Sequence, residues 1–208
     1  MEAAREEVSA ATAQRLEAWL LLPDADRAEL LGGRIVYKEA STFERGDVVI
    51  GISGQIGRFR GPRGGGRGGW WLSQEVDLYL SGQGVRPDLV GWRIDTHPTP
   101  PRKVNVGSRH LGVYATAPDW VCEVLSGSTR RRDEEDGIKW RAYWEAGVGH
   151  YWLVDLTRNQ LTVYRRGERD YEPVDVAGRE SRKVLAPFDE AEFEARRVFM
   201  LADVARAP

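Results

Sequence analysis

The run Trp120-Val121-Cys122-Glu123-Val124-Leu125 constrains the fold of this chain more than any other segment. A short apolar stretch of this kind reads as a strand buried on both faces. Its one charged member is a carboxylate, and a charge removed from water is costly unless something compensates it. A second acid, Asp88, interrupts the apolar stretch from Val85 to Val90. Two such carboxylates on neighbouring strands repel, unless a cation sits between them or one takes a proton. A hard divalent ion with oxygen ligands meets that need directly. The residues alone leave blander readings open: Asp88 as a turn or edge residue, and Glu123 as the partner of one of the many arginines.

Elsewhere the pattern supplies elements to pack around these strands. Apolar spacing predicts an amphipathic helix over residues 5–22, ended by Pro23-Asp24, and a short strand at Ile35-Val36-Tyr37 after the Gly32-Gly33 turn. Asp47 to Phe59 reads as a second helix with Val48, Ile52, Ile56 and Phe59 on one face, although Gly51, Gly54 and Gly57 each weaken it by about 1 kcal/mol against Ala. Trp70 to Leu80 and Val85 to Arg93 read as strands, the second entered through Pro87. Arg131 to Ala146 reads as a helix capped by Gly147, followed by strands at His150–Asp155 and Gln160–Arg166. The tail is less periodic. This order fits an α/β or α+β fold with helices on a central mixed sheet. At 208 residues the chain suits one domain, 1–208.

Composition removes several functional classes. The formal net charge is −2, so no general coat of positive charge exists to attract nucleic acid, and any such footprint is local. Two stretches qualify. Val48 to Gln74 contains no acid but holds Arg58, Arg60, Arg63 and Arg67, and Thr96 to Pro118 holds Arg102, Lys103 and Arg109. The Gly/Arg-rich loop of the first reads equally as a surface connection. A single cysteine, Cys122, excludes an intramolecular disulfide and suits a reducing cytoplasm. His97, His110 and His150 lack zinc-ligand spacing, and no segment resembles a signal peptide or a membrane span.

A third chemical element follows Glu123. Ser126-Gly127-Ser128-Thr129 can cap the next helix, on which Asp136, Lys139 and Tyr143 share one face. A solvated Asp–Lys face is the ordinary alternative.

With these residues in view, Val85-Arg86-Pro87-Asp88-Leu89-Val90-Gly91-Trp92-Arg93 resembles the PD motif of the Uma2-like (DUF820) family of restriction endonuclease-like proteins. Ala117 to Thr129 resembles that family's second block. Asp133, Lys139, Tyr143, Gly147-Val148 and Tyr151 to Asp155 continue it, and Pro23 to Ile35 is similar to its N-terminal segment. The resemblance implies the PD-(D/E)XK nuclease fold, a mixed sheet flanked by helices. It implies Asp88 and Glu123 as catalytic acids that hold Mg²⁺ or Mn²⁺ with the carbonyl of Val124. The usual lysine position is Leu125 here, and Lys139 on the following helix takes that role. Glu29, Asp136 and Tyr143 are accessory candidates. The chain departs from the family at Phe43-Glu44-Arg45-Gly46, where a histidine is common, at Gly127, where proline is common, and at Gly137.

The implied activity is metal-dependent hydrolysis of phosphodiester bonds in nucleic acid, DNA before RNA, with Arg58, Arg60, Arg63 and Arg67 as phosphate contacts. A homodimer is open and a membrane partner is not expected. The main rival is a non-catalytic protein of the same fold that binds nucleic acid or protein. A hydrolase of smaller phosphate esters is another. A glycosidase reading of the two acids leaves Lys139 without a role.

Overall fold

The computed structural model describes residues 10–38, 40–62, 68–106, 109–125 and 137–201. Helix α1 (Ala10–Leu20) leads into strands β1 (Ala28–Leu31) and β2 (Arg34–Tyr37). Helix α2 (Phe43–Ile56) begins where the Thr42 hydroxyl accepts the Arg45 N–H. Strands β3 (Trp70–Gln74), β4 (Leu78–Leu80), β5 (Gln83–Val85), β6 (Leu89–Arg93), β7 (Lys103–Val106), β8 (Leu111–Tyr114) and β9 (Trp120–Leu125) follow. After helix α3 (Ile138–Glu145) come β10 (His150–Asp155), β11 (Gln160–Arg166), β12 (Tyr171–Gly178), β13 (Arg182–Leu185) and β14 (Phe188–Glu194). No helix among the described residues is long and apolar enough to cross a membrane.

The strands form two mixed six-stranded sheets, ordered β2-β1-β5-β4-β8-β7 and β12-β11-β10-β9-β6-β3, and a separate β13-β14 hairpin. The α+β class is as expected, but the sequence reading contained one central sheet and not two. Pro87 accounts for one of the breaks. It has no N–H to give a ladder and breaks pairing inside a strand. The expected strand from Val85 to Arg93 therefore divides: β5 pairs in the first sheet, β6 in the second, and Arg86-Pro87-Asp88 crosses between them. Asp88 lies on this crossover, beside β6 and not within it. The expected strand Trp70 to Leu80 divides the same way, into β3 of the second sheet and β4 of the first.

In the second sheet β9 and β10 run parallel, with Glu123 opposite Leu153, and α3 makes the crossover between them. One face of this sheet packs on α2 and the β13-β14 hairpin through Val48, Ile52, Trp120, Trp152 and Phe188. The other face meets the first sheet and α3 through Leu78, Val85, Val90, Val121 and Tyr143. Helix α1 covers β1 and β8 with Leu16 and Trp19.

The helix expected from Asp47 to Phe59 starts four residues earlier, at Phe43, and its end, Gly57–Phe59, is a 3-10 turn. Among the described residues α3 begins only at Ile138, directly after Gly137 at φ 59, so Gly137 precedes the lysine-bearing helix and is not inside it. Gly147 ends α3 as expected: its N–H reaches the Trp144 carbonyl, and that of Val148 reaches Tyr143.

Two of the three glycines of α2, Gly51 and Gly54, separate packing from propensity. A Cβ on Gly51 would lie 2.7 Å from the backbone oxygen of Arg197, whereas one on Gly54 would meet nothing within 4 Å. Gly54→Ala is expected to stabilise the protein by up to about 1 kcal/mol, and Gly51→Ala to destabilise it despite the same propensity gain. Urea denaturation of the two variants measures both.

A buried acid and lysine cluster as the candidate active site

Strand alternation sends Trp120, Cys122 and Val124 of β9 into the core with α2, and Val121 and Glu123 to the opposite face. Helix α3 lies over that opposite face, and the i, i+4 spacing of Lys139 and Tyr143 brings both onto Glu123. Lys139 Nζ is 2.5 Å from Glu123 Oε1, and the Tyr143 hydroxyl donates to the same oxygen at 2.7 Å. The Lys139 ammonium also reaches Glu29 Oε1 of β1, at 3.0 Å. Glu123 is 1% exposed and Lys139 2%, so this ionic contact is shielded from water. Burial and the neighbouring Glu123 push the Tyr143 phenol well up, which keeps it a protonated donor.

Glu29 belongs equally to the crossover. Its Oε1 accepts the Arg86 N–H at 2.8 Å, and Lys38 donates to the Arg86 carbonyl at 2.8 Å. These two side chains thus satisfy backbone groups that lost their ladder partners when the strand divided. The Arg86 guanidinium pairs bidentately with Asp77 and also reaches Asp24. Burial alone would raise the Glu29 carboxyl, but Lys139, Lys38 and the Arg86 N–H outweigh it and hold the pKa at about 2. Burial, with repulsion from Lys139, lowers that of Lys38.

The anchored crossover delivers Asp88 to the end of β9. Asp88 Oδ2 accepts the Val124 N–H at 2.7 Å, and Oδ1 accepts two bonds from Arg45, at 2.6 Å from Nη2 and 3.2 Å from Nε. Burial opposes the charge of Arg45, but Asp88 more than offsets it and raises its pKa. Because Val124 N–H points toward Asp88, its carbonyl leaves the strand on the same side. Asp88, Glu123 and this carbonyl make an all-oxygen set suited to a hard dication. Each carboxylate oxygen has two lone-pair directions, so Oδ2 of Asp88 has one beyond its bond to Val124. Among the described residues no three His, Cys, Asp or Glu side chains form a metal cage. Two carboxylates and one carbonyl could hold only a dication that keeps several of its own waters.

Of the expected site residues, Glu123, Lys139, Glu29 and Tyr143 meet in one buried cluster, and Asp88 is bonded to the backbone of Val124, the residue after Glu123. Asp136, Arg63 and Arg67 lie outside the described residues. Arg58 and Arg60 are exposed. Arg58 Nε donates to the Gln55 carbonyl near the end of α2. Arg60 lines two open grooves of about 680 and 390 Å³ flanking β3. The larger is walled by Trp71, Trp92 and Tyr114, and the smaller reaches Leu89, the neighbour of Asp88. Sequence reasoning missed Arg45 and Lys38. Arg45 left a signal, since it continues the buried face of Val48, Ile52 and Ile56. Lys38 left none, since its burial depends on the crossover. Burial raises the Cys122 thiol well above its usual range, which leaves it a core residue.

Two mixed sheets joined at an acid-bearing crossover, with the lysine of α3 between Glu29 and Glu123, make an α+β fold. The family model of Uma2, described as "Putative restriction endonuclease", matches residues 13–196, and the chain belongs to that family. Its structure is similar to the crystal structure of "a putative nuclease belonging to DUF820" from Anabaena variabilis ATCC 29413. That likeness has a TM-score of 0.62 at 17% identity, over 89% of this chain and 97% of the other. A search of curated proteins finds no match.

The electrostatics give a pH test. Glu29 has a native pKa of about 2 against an ordinary 4.5, so its contribution to stability is complete above about pH 4.5 and is lost as pH falls toward about 2. Glu29→Gln is expected to flatten the fall in stability over that window. Urea unfolding at a series of pH values compares the two slopes, and equal slopes would remove Glu29 as a source of acid sensitivity.

Proposed function

We propose that this protein hydrolyses phosphodiester bonds in nucleic acid, DNA in the first instance, with Mg²⁺ or Mn²⁺ held by Asp88, Glu123 and the Val124 carbonyl. The observation that carries this reading is the buried Lys139 ammonium 2.5 Å from Glu123, supplied by α3 where Leu125 cannot provide a cation. When bound, the dication supplies Lewis acidity at the phosphoryl oxygens and a water of lowered pKa. Lys139 adds a fixed positive charge for the negative charge that develops during displacement, or orients the attacking water. Tyr143 holds the Glu123 carboxylate in one orientation through its hydroxyl. The first sheet sets the position of Asp88 through Glu29, Lys38 and the crossover backbone. The grooves beside β3, with Arg60 between them, offer phosphate contacts and aromatic surface to flanking nucleotides.

One observation favours the non-catalytic reading, in which the fold binds nucleic acid or protein without cleaving. Both acids already have protein cations as partners, Arg45 and Lys139. Incubating the pure protein with plasmid, single-stranded DNA and RNA, in Mg²⁺, Mn²⁺ or chelator, separates the two. The proposal expects cleavage that chelator abolishes. Absence of cleavage with every substrate and metal supports the rival.

Two variants sharpen the test. Divalent ion is expected to raise the melting temperature of the wild type by binding the native state, and Asp88→Asn to lose most of that shift. Lys139→Met retains the apolar length but leaves Glu29 and Glu123 without this cation, so it is expected to cost roughly 3–5 kcal/mol in stability. At a temperature where it remains folded, single-turnover cleavage should fall by about 10²-fold or more. Wild-type rates in that variant would remove Lys139 from the mechanism.

A further inference from the structure

Arg45 occupies the first turn of α2, where the partial positive charge of the helix N-terminus disfavours a cation. Its side chain is 5% exposed, and among the described residues its direct carboxylate partner is Asp88, whose Oδ1 takes both guanidinium bonds. The other buried cations are differently held. Lys139 spans Glu29 and Glu123, while Lys38 binds the Arg86 carbonyl and faces Glu29 at 3.9 Å. Asp88 also acts on Lys38 through space, but its direct guanidinium bonds come from Arg45. Arg45 also has a short path to water, because Thr42, Phe43 and Glu44 just before it are exposed.

A guanidinium 2.6 Å from Asp88 and a dication on the same carboxylate repel each other in a site that solvent screens poorly. We propose that Arg45 is a built-in competitor of the metal: it neutralises Asp88 in the metal-free protein and leaves that carboxylate when the dication binds. The inference rests on the reading of Asp88 as a metal ligand. The exchange keeps Asp88 paired in both states, so the metal-free protein does not hold an uncompensated buried charge. Its consequence is that the protein binds metal more weakly than its oxygen donors alone would allow.

Two measurements test this. In calorimetric titration with MnCl₂, Arg45→Gln, which keeps a hydrogen-bond donor without the charge, is expected to bind about tenfold more tightly than the wild type or better. Arg45→Lys, which keeps the charge, should stay close to the wild type. In nitrogen-15 NMR of the wild type, the Arg45 Nε–H signal, assigned by its loss in Arg45→Lys, should shift and exchange faster with water at saturating Mg²⁺. Unchanged or weaker Mn²⁺ binding in Arg45→Gln, or an Nε–H signal that Mg²⁺ leaves in place, overturns the proposal while the metal site stands. Failure of the underlying reading looks different: wild type and Asp88→Asn then bind Mn²⁺ alike, and the proposal falls with the site. The NMR arm stands without Arg45→Gln, should that variant not fold.

Discussion

One buried ammonium holds the two sheets of this protein in register with each other. Lys139 of α3 reaches Glu29 on β1 of the first sheet and Glu123 on β9 of the second, with all three side chains 2% exposed or less. A lone charge at such depth is strongly unfavourable, so each member of the trio requires the others. That mutual requirement fixes how α3 lies over β9 and how close β1 comes to it. Apolar contact between Leu78, Val85, Val90 and Val121 supplies area, but it would tolerate small slips that the ion pairs do not.

The crossover from β5 to β6 depends on the same trio. Pro87 prevents one continuous strand, and the backbone groups of Arg86 must be satisfied by side chains. Glu29 and Lys38 do this, and the result is a rigid delivery of Asp88 beside Val124. The acids that serve the proposed chemistry are thus inseparable from those that stabilise the fold. A hydrophobic replacement of buried ion pairs often stabilises a protein. Retaining them here is consistent with a site whose charges are needed for more than folding.

Much of this was legible in the sequence where information is local. The run from Trp120 to Leu125 is buried along its whole length, as its apolar character implies. The strands from His150 and Gln160 pair with the expected boundaries, because alternation and a short turn define a hairpin without help from distant residues. Lys139 and Tyr143 share a helical face, and both reach Glu123. What escaped was non-local. The apolar run around Asp88 carries no mark of which sheet each half joins, although Pro87 hinted at the break. The burial of Ala28 to Leu31 depends on α1 and β5, so this strand escaped, although the resemblance marked Glu29 within it as an accessory candidate. Arg45 looked like a missing histidine. Its ion pair with Asp88 spans 43 positions of sequence, which no local pattern encodes.

The central claim is that Asp88, Glu123 and the Val124 carbonyl together form a site for a catalytic dication. An anomalous difference map from crystals grown with Mn²⁺ tests it most directly, because manganese marks its own position independently of turnover. The account predicts one strong peak bonded to oxygens of Asp88, Glu123 and Val124, with Arg45 turned away from Asp88. A peak elsewhere, or none at these residues under saturating Mn²⁺ while Arg45 and Lys139 keep their contacts, would contradict it.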